Sequence, residues 1–273
     1  MNKFSIFIIS HNRPNCDTYY KLRLMGYSGD IKIIIDDKDK CIDTYKHIFK
    51  DRVIVYNKDK VNVDLMDNQK EPKGIATYSR EYCIELAKEM NLDYFLMLDD
   101  DLKDIKYRKG KSESHKISNL DAILDHCLDF MKYVDILCFG SGNDYIGGKN
   151  DDFKIGRGTN AYLIKVKSDI HFKGRYSEDR ITPVLYSMMG KLIFKTTQLQ
   201  FIFDVWQPKK KVLKGGCNDI YKNENNYMMM FYPVISSPGN TYSKYKQGKY
   251  VACTNYKYVC PKIISSRYKR KWL

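Results

Sequence analysis

Three groups of carboxylates could do chemistry. Asp99-Asp100-Asp101 closes the apolar run Tyr94–Leu98, Asp36-Asp37 closes Ile31–Ile35, and Glu178-Asp179 opens a segment of helical apolar spacing. Adjacent carboxylates repel, and each wants water. A divalent cation resolves that conflict at the first group, because hard oxygen ligands hold Mg2+ or Mn2+, which also bind phosphate oxygens. Alternation along an extended strand puts Asp99 and Asp101 on the same side. The plain alternative is a solvated turn with Asp as turn former. At the second group a carboxylate can accept from a nucleobase imide N–H or a ribose hydroxyl, and a capped turn explains it equally well. At the third group the helix dipole alone favours acids. The functional alternative there is a general base that deprotonates an acceptor hydroxyl.

These groups need elements to hold them. Phe4–Ser10, Ile31–Ile35, Val53–Tyr56 and Tyr94–Leu98 read as buried strands. Asp17–Met25 reads as a helix stopped by Gly26, and Ile75, Ala76, Cys83, Ile84, Leu86, Ala87 and Met90 follow helical spacing. Strands alternating with helices imply a largely parallel sheet with right-handed crossovers, whose ligands bind outside the carboxyl ends of the strands. Lys103–Lys116 is basic and polar and reads as a mobile loop. Leu120, Ile123, Leu124, Cys127, Leu128 and Met131 form another helical stripe, capped by Ser118 or Asn119. Asp135–Phe139 and Ala161–Val166 read as strands around a Gly-rich loop. Ser177-Glu178-Asp179 opens a helix through Met189, with Pro183 in an early turn and Gly190 as its stop. Leu192–Phe194 and Leu199–Phe203 read as further strands. The expected fold class is α/β, with a core over residues 1–205 and a basic, Tyr-rich extension over 206–273 packed on the same domain.

The chain has 273 residues, 47 Lys and Arg against 33 Asp and Glu, and a net charge of +14. At 43% hydrophobic residues it can build a substantial core, which excludes a disordered tail and a disulfide mini-protein. No apolar run approaches the roughly 20 residues of a membrane span, so no membrane span and a cytoplasmic location are expected. Its 8 cysteines are scattered singly, without CxxC, and read as reduced core thiols rather than a zinc site. No acidic residue follows Glu224, while Lys244, Lys246, Lys249, Lys257, Lys262, Arg267, Lys269, Arg270 and Lys271 alternate with tyrosines. Lysines track phosphate backbones and aromatic faces stack on bases. A bias toward Lys, Asn, Ile and Tyr in the whole chain is the compositional alternative.

Taken in order, FSIFIISHNR, IKIIIDD, the helical YSREYCIELAKE, YFLMLDDD and SED resemble the GT-A nucleotide-sugar glycosyltransferases over roughly residues 4–190. That resemblance implies a nucleotide-sugar site at Ser10, His11, Arg13, Asp37, Arg80, Asp99 and Asp100. Within it, His11 packs against the nucleobase, Asp37 binds the base edge and Arg80 lies near the pyrophosphate. It further implies Mn2+ or Mg2+ at Asp99 and Asp101, with Asp101 the direct ligand and Asp99 nearer the ribose. The co-substrate would be a UDP-sugar. Asp179, with Glu178 beside it, matches the catalytic base of inverting members. More loosely, SHNR, the compact size and the basic surface resemble the phage and kinetoplastid branch that glycosylates hydroxymethylated pyrimidines in DNA, akin to base J glucosyltransferases. This implies a double-stranded DNA acceptor, a host-cytoplasmic setting if the source is viral, and phosphate contacts from Lys244, Lys246, Lys249, Arg267, Lys269, Arg270 and Lys271. The target base would flip out of the duplex. Two features depart from the pattern. No His follows His171 to complete a metal shell, leaving Asn218 or Asp219 as candidates, and Lys38-Asp39 stands where Gly-Ser is common. The competing readings are a transferase acting on a glycan, lipid-linked or protein acceptor, a catalytically silent nucleic-acid-binding module, and a nucleotidyltransferase on a related sheet.

Overall fold

The computed structural model describes residues 2–66, 76–109, 113–140, 153–154, 160–175, 178–203, 236–241 and 249–254. Four apolar runs form its parallel half: β1 (Phe4–Ile9), β2 (Ile31–Asp36), β3 (Val53–Tyr56) and β4 (Tyr94–Asp99). β2 and β4 flank β1 in parallel, and β3 pairs parallel outside β2. The helices are α1 (Asp17–Leu24), α2 (Ile42–Phe49), α3 (Ala76–Glu89), α4 (Leu120–Phe130) and α5 (Glu178–Met188).

Central strands read as continuous apolar runs because both of their faces are covered. Ile6, Ile8, Leu96 and Leu98 point into a cluster with Leu22 of α1, Tyr45 and Phe49 of α2, and Leu124 of α4. Phe7, Ile9, Phe95 and Met97 point the other way, onto Cys83, Ile84 and Leu86 of α3 and Tyr186 of α5. The result is an α/β/α sandwich. Cys83, Cys127 and Cys138 are buried within it, as their apolar spacing implies.

Beyond β4 the sheet becomes mixed. β5 (Leu102–Lys109), β6 (Glu113–Lys116), β7 (Ile136–Gly140), β8 (Phe153–Lys154), β9 (Ala161–Lys165) and β10 (Ile193–Phe203) complete it. The order is β3-β2-β1-β4-β9-β7-β10-β5-β6, with β8 paired to β10. β9 is antiparallel to both β4 and β7. The Gly-rich stretch after β7 carries no helical pattern, and an antiparallel neighbour needs no helical crossover. A separate antiparallel pair, β11 (Ser236–Thr241) and β12 (Lys249–Thr254), lies in the basic C-terminal part. Among the described residues, no helix is long and apolar enough to cross a membrane.

Three sequence expectations change. Residues 103–116 are largely a hairpin rather than a loop: Leu102 and Ile105 are fully buried against the face that carries α1, and that burial outweighs the polar composition around them. The two strands expected over 192–203 are one, β10, with a shift of register against β7 between Thr196 and Gln200. α2 was not anticipated, although Ile42, Tyr45 and Phe49 have helical spacing.

Gly26 ends α1 as expected, through a Schellman closure: Gly26 N donates to Arg23 O and Tyr27 N to Leu22 O, both at 3.0 Å. Its φ of +85° and the Ser118 carbonyl, 2.8 Å from where a Cβ would stand, leave no place for a side chain. Gly26→Ala should therefore lower stability by about 1–3 kcal/mol, read as a fall in the urea midpoint at unchanged slope.

Candidate active site

β1, β2 and β4 run parallel, so their carboxyl ends meet at one edge of the sheet. The chain leaves β1 toward β2 on one side and returns as β4 on the other, and at such a switch point a crevice opens. A cleft of about 200 Å³ lies there, lined by Ser10, His11 and Arg13 after β1, Asp36 of β2, Lys58 after β3, Ala76 and Ser79 of α3, and Asp99 of β4. That volume is below the roughly 300–1,000 Å³ of a typical ligand pocket. It suits one part of an elongated ligand whose remainder runs out along the acidic edge.

The loop after β1 is held from three sides. Tyr45 of α2 is fully buried, its hydroxyl bonded to Ser10 Oγ at 2.6 Å and accepting from Arg13 N at 2.9 Å. Asp39 accepts from Asn12 N and from Cys41 N, both at 2.7 Å. Ser10 Oγ donates to the Asp100 carboxylate. These bonds hold Asn12 in the left-handed region, at φ 54°, and Cys16, at φ 40°, donates its N–H to Arg13 O at 3.1 Å; such a conformation persists only where the surroundings over-determine it. His11 Nδ1 lies 2.9 Å from Asp36 Oδ2. A carboxylate only accepts, so the pairing puts a proton on Nδ1.

The acidic triplet does not extend as a strand. β4 stops at Asp99, and the next two residues turn, so strand alternation does not govern Asp101. Thr18, fully buried at the start of α1, fixes this turn: its hydroxyl donates to Asp99 O at 2.6 Å and accepts from Leu102 N at 2.9 Å. Arg13 spans the next two acids, with Nη2 2.7 Å from Asp100 Oδ1 and Nη1 3.1 Å from Asp101 Oδ2. Asp99 faces the other way, toward Arg80 of α3, whose Nη2 is 3.5 Å from Asp99 Oδ1. Burial pushes the Asp99 carboxyl up to about 7 against the pull of Arg80. Burial likewise raises Asp100 to about 6, opposed by the Ser10 hydrogen bond and Arg13.

Asp101 Oδ1 is buried and accepts no hydrogen bond, while the Oδ1 atoms of Asp99 and Asp100 are met by the ion pairs with Arg80 and Arg13. Such an oxygen fits a hard divalent cation. Among the described residues no three His, Cys, Asp or Glu side chains converge closely enough to hold one alone. A shell completed by water and ligand phosphates is the usual state of Mg2+ in proteins.

Arg80 joins the two acidic regions. The residue is 4% exposed, with its guanidinium packed over the Tyr162 and Phe172 rings at 5.1 and 5.8 Å. Nε lies 3.2 Å from Glu178 Oε1 at the first turn of α5. Burial alone would lower the Arg80 pKa, but Asp99, Glu178 and Asp179 more than offset it and keep the charge. Burial also raises Glu178, with Arg80 opposing.

Of the residues singled out from sequence, Ser10, His11, Arg13 and Asp99 line the cleft, and Asp100 and Asp101 join them through Arg13. Asp37 does not: Asp36 lines the cleft, while Asp37 Oδ1 accepts from Lys58 N at 3.1 Å, on the β3 side. Arg80 is an internal bridge rather than an open cleft wall. Glu178 and Asp179 start α5 beside it, so the two acidic clusters share one region. Ser177, Asn218, Asp219, Lys244, Lys246, Arg267, Lys269, Arg270 and Lys271 lie outside the described residues, and Lys249 begins β12. Sequence reading missed Thr18, Tyr45, Lys58 and Ser79. Only Tyr45 had a signal, in the spacing of α2.

A family model described as TET-Associated Glycosyltransferase matches residues 4–210. No curated protein matches the sequence. Among solved structures, glucosyl-3-phosphoglycerate synthase from Mycobacterium tuberculosis, in complex with Mn2+, UDP-glucose and phosphoglyceric acid, is similar at a TM-score of 0.51 and 8% identity, over 94% of this chain and 90% of that one. Its complex with UDP gives a TM-score of 0.51 and 8% identity, over 94% and 91%. At that identity the likeness is one of fold, the GT-A form of the α/β sandwich.

The Asp99 environment has a measurable signature. A carboxyl whose folded pKa is raised holds its proton after the unfolded chain has released it, so stability falls across that interval. Asp99→Asn stays neutral throughout. Relative to that variant, the metal-free wild type should lose stability as pH rises from about 4 to about 7, and level off above. Paired urea midpoints across this range test it, and a flat difference contradicts it.

Proposed function

The chain belongs to the TET-associated glycosyltransferase family, and from that membership we propose that it transfers a sugar from a UDP-sugar to the hydroxyl of a hydroxymethylated pyrimidine in double-stranded DNA, with a divalent cation. The observation that carries this reading is Arg80, which ties Asp99 at the end of β4 to Glu178 at the start of α5. A donor-side acid and an acceptor-side acid thus stand one guanidinium apart.

The roles follow from the chemistry of each group. The cleft between β1, β2 and β3 takes the nucleoside, with the His11–Asp36 pair and Lys58 offering polar contacts to it. The diphosphate runs along Asp99–Asp101, where a cation, when bound, neutralises the leaving group. Arg13 holds Asp100 and Asp101 in place until donor arrives, and its guanidinium suits phosphate oxygens as well as carboxylates. Asp179 takes the proton of the acceptor hydroxyl as the oxygen attacks the anomeric carbon. Glu178, committed to Arg80, orients the first turn of α5 rather than moving a proton. The synthase that shares the fold, solved with Mn2+ and UDP-glucose, makes those the first cation and donor to test. A net charge of +14 and the acid-free C-terminal stretch favour a polyanionic acceptor.

Labelled UDP-glucose incubated with Mn2+ and duplex DNA containing hydroxymethylpyrimidines should label the DNA, and unmodified duplex should stay unlabelled. Chelator should abolish the transfer. Asp179→Asn should lower kcat by about 100- to 10,000-fold with donor affinity retained. Label passing instead to a glycan or lipid acceptor would overturn the DNA reading while keeping the transferase. Release of pyrophosphate instead of UDP would overturn sugar transfer itself.

A further inference from the structure

The segment that follows the acidic triplet is built in a way that catalysis does not explain. Between Leu102 and Lys116 the sequence places six basic side chains against two acidic ones, and most of this stretch folds as the β5–β6 hairpin. Lys106 on β5 pairs directly with Lys116 on β6. Like charges directly opposite on antiparallel strands are destabilising. Arg108, two residues along β5, lies on the same face as both lysines. On the opposite face Tyr107 stacks on His115, ring centroids 5.2 Å apart, with Tyr107 38% exposed.

Lysine on an edge strand is a common guard against unwanted strand pairing, and that accounts for Lys116 on β6. It does not account for Lys106. β5 is an interior strand, paired on its other side with β10, where Gln200 is the partner of Lys106. The nearest acid described for Lys106 is Asp104 on its own strand, at 3.7 Å, too long for a hydrogen bond. A cross-strand lysine pair gains from a partner that carries negative charge.

We infer that the β5–β6 hairpin is a contact surface for the phosphate backbone of the DNA acceptor, centred on the Lys106–Lys116 pair. This rests on the DNA reading above and assigns it a surface within the folded core, distinct from the C-terminal basic stretch. The placement suits it. Lys106 follows Asp101 by five residues, about 17 Å of strand, and the major groove of B-DNA is about 12 Å wide. A nucleotide turned out toward the acidic triplet would keep its flanking backbone within reach of the hairpin.

The test uses the full chain, a fluorescent unmodified DNA duplex and a potassium chloride series. Phosphate contacts do not depend on sequence, so unmodified duplex suffices. Wild type should bind with affinity that falls steeply with salt. Lys106→Gln with Lys116→Gln should weaken binding and reduce the log–log salt slope by about 2, near one per lost contact. UDP affinity should be unchanged, because neither lysine lines the cleft. The urea midpoint should hold or rise, because a repulsive pair has been removed, which separates the effect from misfolding. Wild-type binding with an unaltered slope in the double variant overturns the hairpin and leaves the DNA reading intact. Wild type that binds no duplex at any salt overturns both.

Discussion

One guanidinium buried among carboxylates organises the candidate site. Arg80 rises from α3 into a space closed by the Tyr162 and Phe172 rings, where it cannot turn to solvent. Asp99 and Glu178 come to it from a strand end and a helix start that are far apart in the chain. A buried ion pair is poor evidence of a stability gain, since desolvation offsets most of the attraction, whereas losing one partner leaves an uncompensated charge and costs several kcal/mol. What Arg80 contributes is position. It fixes the angle at which α5 meets the sheet, and so the distance from the donor edge to the acids of the first turn. The Tyr162 and Phe172 rings pack against the guanidinium there.

The same logic governs the opposite side of the triplet. Arg13 serves Asp100 and Asp101 as Arg80 serves Asp99, but on a loop rather than a helix, and half in water. Arg80 draws Asp99 one way and Arg13 draws both Asp100 and Asp101 the other, and a continuous strand would not put Asp100 and Asp101 on one side. The turn at Asp100 follows from that. Thr18 secures it at both ends with one hydroxyl. The triplet is thereby divided into one acid held by a buried arginine and two held by a half-exposed one.

Much of this was legible in the residues. The apolar runs and the acids that end them define the strand ends, and the order of the motifs defines the family. The depth of Arg80 was legible too, had the stripe been read in full. Ala76, Arg80, Cys83, Ile84 and Ala87 share one helical face, so a charged residue stood at a core position and needed buried partners. Asp36 against Asp37 turns on parity: β2 runs one residue past its apolar segment, and Asp36 shares the face of Ile34, toward α3. Tyr45 and Thr18 were hidden for another reason. Both act on the site through hydroxyls from elements that pack beneath it, and nothing in sequence distance reports a contact between Thr18 and Asp99. The 103–116 hairpin was masked by composition, since two buried residues, Leu102 and Ile105, decide its register among polar neighbours.

That hairpin also bears on how a small enzyme aligns a large acceptor. Positioning errors between two binding surfaces grow with every flexible residue that joins them, because each adds backbone freedom that binding must remove. Here the triplet and β5 are consecutive, and the only turn between them is pinned by Thr18 to the helix that packs on β5. Movement of the acids is thereby coupled to movement of the strand. On the reading proposed above, a duplex resting on the hairpin would register its displaced nucleotide against the acids directly. The repulsion between Lys106 and Lys116 is then the counterpart of the repulsion among Asp99, Asp100 and Asp101. Each is a local conflict within the chain that a ligand of opposite charge relieves.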